Sequence, residues 1–258
     1  MKQPISLLPT ALLACLLGLL PACDDGRIYP ETPSENQEGR VLKLSTRLLS
    51  PEAWPQAYDL VLAGFSSDNP RTPIVSKSVP RPDGREQSVE LLLAGIPEEV
   101  STASLCLLSK GHTVIHHFYS VDAGQTDTIR LQPEAVDLAS ESRVQEQIFT
   151  PYCAQCHGAG EYAAAGLRLT EGHSHASLVG QTATLSASAQ KLVQPAEPQN
   201  SFICQVLSSD ILRYNHTDVL PEAELLTLIE AWISRLPQSD QPATQAKIPL
   251  STAYSTGK

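Results

Sequence analysis

Between Val41 and Leu131 the apolar residues fall into short runs separated by turn residues, and that spacing restricts the region to a sheet architecture. The runs are "VLKLSTRLL", "AYDLVLAGF", "IVSKSV", "QSVELLLAGI", "ASLCLLS", "TVIHHFYSV" and "DTIRL", with "SSDNPRTP", "PRPDGRE" and "SKGH" supplying turns between them. Several alternate apolar and polar residues with the period of two that a half-buried strand requires. Roughly seven short strands predict an antiparallel β-sandwich over residues 41–132, immunoglobulin-like or similar. It holds no catalytic constellation. His112, His116 and His117 lie in or beside one strand, and because consecutive strand residues face opposite sides, His116 and His117 are not expected to share a metal.

At "QPEAVDLASES" the pattern changes to helical spacing. "SRVQ", Ser142 to Gln145, reads as a capping box, with Val144 and Ile148 one turn apart on the face of a helix that runs into Cys153. In "PEAELLTLIEAWISRLP", Pro221 suits a first helical turn and Glu222 and Glu224 suit the positive end of the helix dipole. Leu225, Ile229, Trp232 or Ile233, and Leu236 follow at helical intervals until Pro237. A second unit is therefore expected over 140–237, and the polar tail 238–258 is expected to be disordered.

Residues 1–22, "MKQPISLLPTALLACLLGLLPA", have one charge and an apolar run too short and too interrupted to cross a membrane, the form of a secretory signal. "LLPAC" ending in Cys23 resembles the lipobox of bacterial lipoproteins, which predicts acylation of Cys23; "LLAC" ending in Cys15 is a poorer candidate, and cleavage near Ala22 without lipid is the alternative. Residues 23–40 read as a flexible tether. Loss of Lys2 with the signal takes the net charge from -10 to -11. That acidity disfavours nucleic acid and favours a basic partner. The expected location is the cell envelope, membrane-anchored, periplasmic or surface-facing.

Residues 153 to 157 read "CAQCH". Two cysteines at this spacing can each add to a vinyl group of one porphyrin, and the adjacent histidine then lies under the ring as an iron ligand. The same letters can make a redox dithiol or part of a zinc site. A redox pair normally opens a helix after a strand, whereas here a helix precedes the motif, and no second CxxC or paired histidines complete a zinc set. One covalent haem c is expected, held by Cys153 and Cys156 with His157 as proximal ligand. Cys106 and Cys204 remain, as a disulfide or as buried thiols.

"VQEQIFTPYCAQCHGAG", "AGLRLTEG", "HASLVG", "LVQPAEPQNSFICQVLS" and "LPEAELLTLIEAWI" together resemble the class I cytochrome c domains appended to exported bacterial proteins, over about residues 140–237. The resemblance implies an all-α haem domain after the sandwich, hence two domains, and single-electron transfer to a redox partner protein. It also implies an axial methionine before the last helix. This chain departs there, since Met1 is its only methionine. His216, Tyr214, His173, His175, a water or an open site are the alternatives for the far side of the iron. A closed site suits an electron carrier more than a catalyst. An open one suits a gas- or peroxide-binding sensor, and a surface interaction lipoprotein with a vestigial haem domain is a further alternative.

Overall fold

In the computed structural model, residues 39–84, 86–158, 160 and 163–238 are described. The expected signal peptide, the lipidated Cys23, the tether up to residue 38 and the tail from residue 239 lie outside the described residues. Each of the seven apolar runs contains a strand: β1 (Arg40–Leu49), β2 (Asp59–Phe65), β3 (Val75–Ser78), β4 (Gln87–Ile96), β5 (Thr102–Leu108), β6 (Val114–Asp122) and β7 (Thr128–Leu131). A further strand, β8 (Ala135–Asp137), follows.

The strands form two sheets, one ordered β4-β1-β7 with β8 also on β1, the other ordered β3-β2-β5-β6. β1 is the hub of the first. It pairs antiparallel with β4 along its length, and its other edge pairs in parallel with β7 from Val41↔Thr128 and then with β8 from Arg47↔Ala135. Pro133 separates those two short strands; without an N–H it cannot continue a ladder. The first sheet is therefore mixed, not purely antiparallel, because the chain crosses from β6 in one sheet to β7 in the other and arrives running alongside β1.

Alternation decides what each face buries. Leu42, Leu44 and Leu48 of β1 point inward against Leu60 and Leu62 of β2 and Leu105 and Leu107 of β5, while Lys43 and Arg47 point out. The other face of β2 and β5 is also covered, with Val61, Ala63, Phe65, Cys106 and Leu108 forming a second cluster. His116 and His117 follow the same rule. His116 turns to Glu146 and is 6 % exposed, whereas His117 turns to Ser104 and meets the Phe65 ring edge-on at 5.3 Å.

Beyond β8 the expectation fails. α1 (Glu141–Val144) runs directly into a π-helical stretch, Gln145–Cys153, and three further helices follow, α2 (Ser174–Leu178), α3 (Phe202–Ser208) and α4 (Ala223–Arg235). Among the described residues only α4, at 13 residues, exceeds two turns of α-helix. Gly158, Gly160, Gly166, Gly172 and Gly180, with Pro195, Pro198 and Pro221, break the rest into turns. Most of the helical core is shared with the sandwich: Val144, Ile148, Phe149, Leu228, Ile229, Trp232 and Ile233 join one apolar cluster with Leu42, Leu60 and Leu105, while Ala183, Phe202 and Val206 form a small separate one. The fold class of a sandwich followed by an all-α cytochrome c domain is thus overturned, and the resemblance to class I cytochrome c falls with it. Among the described residues there is no such domain and no group of three or more His, Cys, Asp or Glu side chains placed to hold a metal.

Two local details differ from expectation for visible reasons. The first helix is capped by Ser140, whose hydroxyl accepts from the Arg143 N–H at 3.4 Å, so it starts before the expected Ser142. Pro151 removes a backbone donor and crowds the carbonyl four residues earlier; the wider π turn relieves this, with the Ala154 N–H bonding Phe149 O at 2.8 Å.

Arg143 fixes this segment to the sandwich. It is 1 % exposed, and its Nη1 donates to Ala53 O at 2.7 Å and Leu138 O at 2.5 Å. Burial lowers its pKa to about 10. Burial likewise pushes His116 and His117 below the usual 6.5, so the folded chain holds both neutral. As pH falls through about 6.5 the unfolded imidazoles bind protons that the folded ones refuse, so stability is fully present above that value and declines below it. Urea midpoints at pH 7.5 and 5.5 are expected to fall between the two for the wild type and to fall less for His117→Gln; an equal fall in both contradicts the assignment.

Candidate functional site

The π-helical stretch ends at Cys153, and the next turn closes through the Cys156 and His157 N–H groups, both bonded to Cys153 O at 3.2 and 2.9 Å. That turn gathers Cys153, Cys156 and His157. Both cysteines are free, Cys153 half-buried and Cys156 exposed. Burial, with the neighbouring Cys156 adding to it, pushes the Cys153 thiol up to about 11. A redox dithiol needs an attacking thiolate of lowered pKa, and the buried Cys153 thiol is shifted the other way.

His157 is held from three sides. The Ala164 N–H bonds Cys156 O at 3.0 Å, the Leu169 N–H bonds His157 O at 2.7 Å, and the His157 Nδ1–H donates to Ala164 O at 2.8 Å. A carbonyl only accepts, so Nδ1 carries the hydrogen and Nε2 keeps its lone pair. Ala165, next in the chain, has φ 54°, the left-handed region that L side chains avoid, followed by Gly166 at φ 69°.

Opposite lies His216, in the segment between α3 and α4. The two imidazole centroids are 6.3 Å apart with 26° between the ring planes. The His216 Nδ1–H donates to Tyr214 O at 2.8 Å, which again leaves Nε2 with its lone pair. The Asn215 carboxamide oxygen accepts from both the N–H and the hydroxyl of Thr217 at 2.8 Å, folding the segment beside His216 into a turn. Two imidazoles bound through Nε2 to opposite sides of one metal, with bonds of about 2.0–2.1 Å, have centroids roughly 6 Å apart. The observed spacing matches that arrangement.

The remaining candidates lie elsewhere. The Tyr214 ring is 73 % exposed with the Arg213 guanidinium 5.9 Å from it, and the residue gives His216 its backbone carbonyl. His173 sits against Glu171 O, and the His175 Nδ1 is 2.9 Å from the Glu141 carboxylate; both histidines are exposed. Cys106 and Cys204 are free thiols that burial pushes up to about 12, one in the outer cluster of the second sheet and one in the main core, so they form no disulfide. Sequence reasoning missed the Ala164 and Tyr214 carbonyls that fix the imidazole tautomers. Any residue has such a carbonyl, so no letter in the sequence marks them.

Two imidazoles fall short of the four ligands of a structural zinc. They equal what a porphyrin iron takes from a protein, since the macrocycle supplies its other four nitrogens. No family model matches the chain, and no curated protein or solved structure matches it. Among the described residues no helix is long and apolar enough to cross a membrane.

The loop that carries Ala164 suggests a direct check. Glycine at position 165 relieves the left-handed strain of about 1–2 kcal/mol while adding unfolded-chain entropy. Ala165→Gly is therefore expected to stabilise the protein by roughly 0.5–1 kcal/mol in urea unfolding, and a loss of stability would show that the loop conformation is wrong.

Proposed function

We propose that the chain is an exported, lipid-anchored protein that holds one haem through Cys153 and Cys156, with His157 and His216 on the two faces of the iron, and that it transfers single electrons. The observation that supports this reading is the His157–His216 pair: ring centroids 6.3 Å apart, 26° between the ring planes, and both Nδ1 hydrogens bound to backbone carbonyls. The group fits the residues. Cys153 and Cys156 have the spacing for two thioethers, in which each sulfur adds to one vinyl carbon and its proton passes to the other.

When bound, the haem supplies a one-electron couple at its iron. The chain's share of the work is positional. Ala164 O and Tyr214 O hold each imidazole in the tautomer that presents Nε2. Ligands that stay in place as the oxidation state changes keep the rearrangement small. With no methionine beside the iron, the couple is expected at a lower potential than in methionine-ligated c-type haems. Among the described residues no acid, base and nucleophile set accompanies the pair, which favours transfer over bond chemistry. The net charge, -10 for the whole chain and -11 once Lys2 leaves with the signal, favours a redox partner protein with a basic docking surface. Acylation at Cys23 would keep the molecule at an envelope membrane.

Protein matured where c-type haem is assembled is expected to retain haem after denaturation and to lose that retention in the Cys153→Ala, Cys156→Ala double variant. The native oxidised spectrum is expected to be low-spin, to become high-spin in His216→Ala and to stay low-spin in Tyr214→Phe. Absence of retained haem, or a His216→Ala spectrum identical to wild type, contradicts the proposal. Cys23→Ala is expected to move the protein from the membrane fraction to the soluble fraction; unchanged partition contradicts the anchor.

A further inference from the structure

The two histidines are mounted very differently. His157 belongs to a turn bonded forward to Ala164 and Leu169 and back to Cys153. His216 belongs to residues 210–221, and among the described residues the hydrogen bonds of that segment close within itself or at its edge. Ile211 N–H bonds Ser209 O, His216 Nδ1–H bonds Tyr214 O, Asn215 accepts twice from Thr217, and Val219 N–H bonds His216 O. Among the described residues no ion pair reaches it either. Its hold on the rest of the chain is apolar: Leu212 packs on the Ala183, Phe202 and Val206 cluster, and Leu220 on the main core, while Ile211 is 50 % exposed.

A segment with its hydrogen bonds internal and few tertiary attachments lies at the low end of local stability. It can also move without breaking those bonds, because the Asn215 turn keeps residues 214–217 together. We infer that His216 is an exchangeable ligand and that its departure opens a binding site for a small neutral diatomic molecule on that face of the reduced iron. This deepens the haem reading and rests on it. With haem bound, His216 Nε2 would leave with its lone pair, and the diatomic would donate the pair that replaces it. No electron or proton is transferred. His157 stays in place because its own turn is tied down on both sides.

Carbon monoxide is the probe, mixed rapidly with the reduced, haem-loaded full-length protein. The wild type is expected to bind it at a rate that levels off as its concentration rises, since departure of His216 becomes limiting. In His216→Ala the rate is expected to rise in proportion to concentration with no plateau. Hydrogen exchange of the reduced protein is expected to quicken over residues 210–221 when carbon monoxide is added and to stay unchanged over 153–158. A haem-loaded wild type whose spectrum does not change under saturating carbon monoxide, or whose rate never levels off, overturns the inference and leaves the haem reading standing. A chain that retains no haem after denaturation overturns both.

Discussion

The helical segment sits where it does because a buried guanidinium ties it to the sandwich. Arg143, one turn into the chain beyond β8, gives both Nη1 hydrogens to carbonyls, Ala53 O before β2 and Leu138 O after β8. Its Nε also donates to Gln147 Oε1 at 3.3 Å while its buried Nη2 has no partner among the described residues, and removing the guanidinium would leave those carbonyls unpaired in the core. Val144, Ile148 and Phe149 on the same segment then pack on Trp232 and Ile233 of α4 and on the inner leucines of both sheets. The position of "CAQCH" follows, because the π-helical stretch between Arg143 and Cys153 leaves no free joint.

The site inherits an asymmetry from that arrangement. On one side the chain leaves the π-helical stretch, turns tightly through the cysteines and is stitched to Ala164 and Leu169. On the other it crosses from α3 to α4 in a segment that satisfies its own polar groups. One histidine thus rests on the shared core and the other on a self-contained turn held by Leu212 and Leu220. On the proposed haem reading, a fixed ligand opposite a movable one suits a centre that passes electrons while closed and admits a small molecule when opened.

The strands were legible because alternation of Leu42, Leu44 and Leu48 with Lys43, Ser45 and Arg47 has only one good solution, a strand with one face buried. β8 was not legible: three residues after Pro133 have no period to read. The parallel pairing of β7 was hidden for another reason, since it depends on which sheet the chain enters after β6. Beyond residue 140 the sequence misled in the opposite direction. Val144, Ile148 and the α4 stripe are genuine helix signals, yet the glycines and prolines between them leave short pieces that use the sandwich as their core. Near the candidate site the letters "CAQCH" are visible in the sequence, whereas the approach of the His216 ring centroid to 6.3 Å from that of His157 depends on the fold. Among the histidines of the described residues, His216 is the one whose ring pairs with that of His157.

The most direct test of the central claim is the paramagnetic-resonance spectrum of the oxidised, haem-loaded protein, which reports both axial ligands and the angle between their planes. Imidazoles only 26° apart are expected to give a rhombic low-spin signal. A high-spin signal, or the strongly anisotropic low-spin signal of perpendicular rings, would contradict the account.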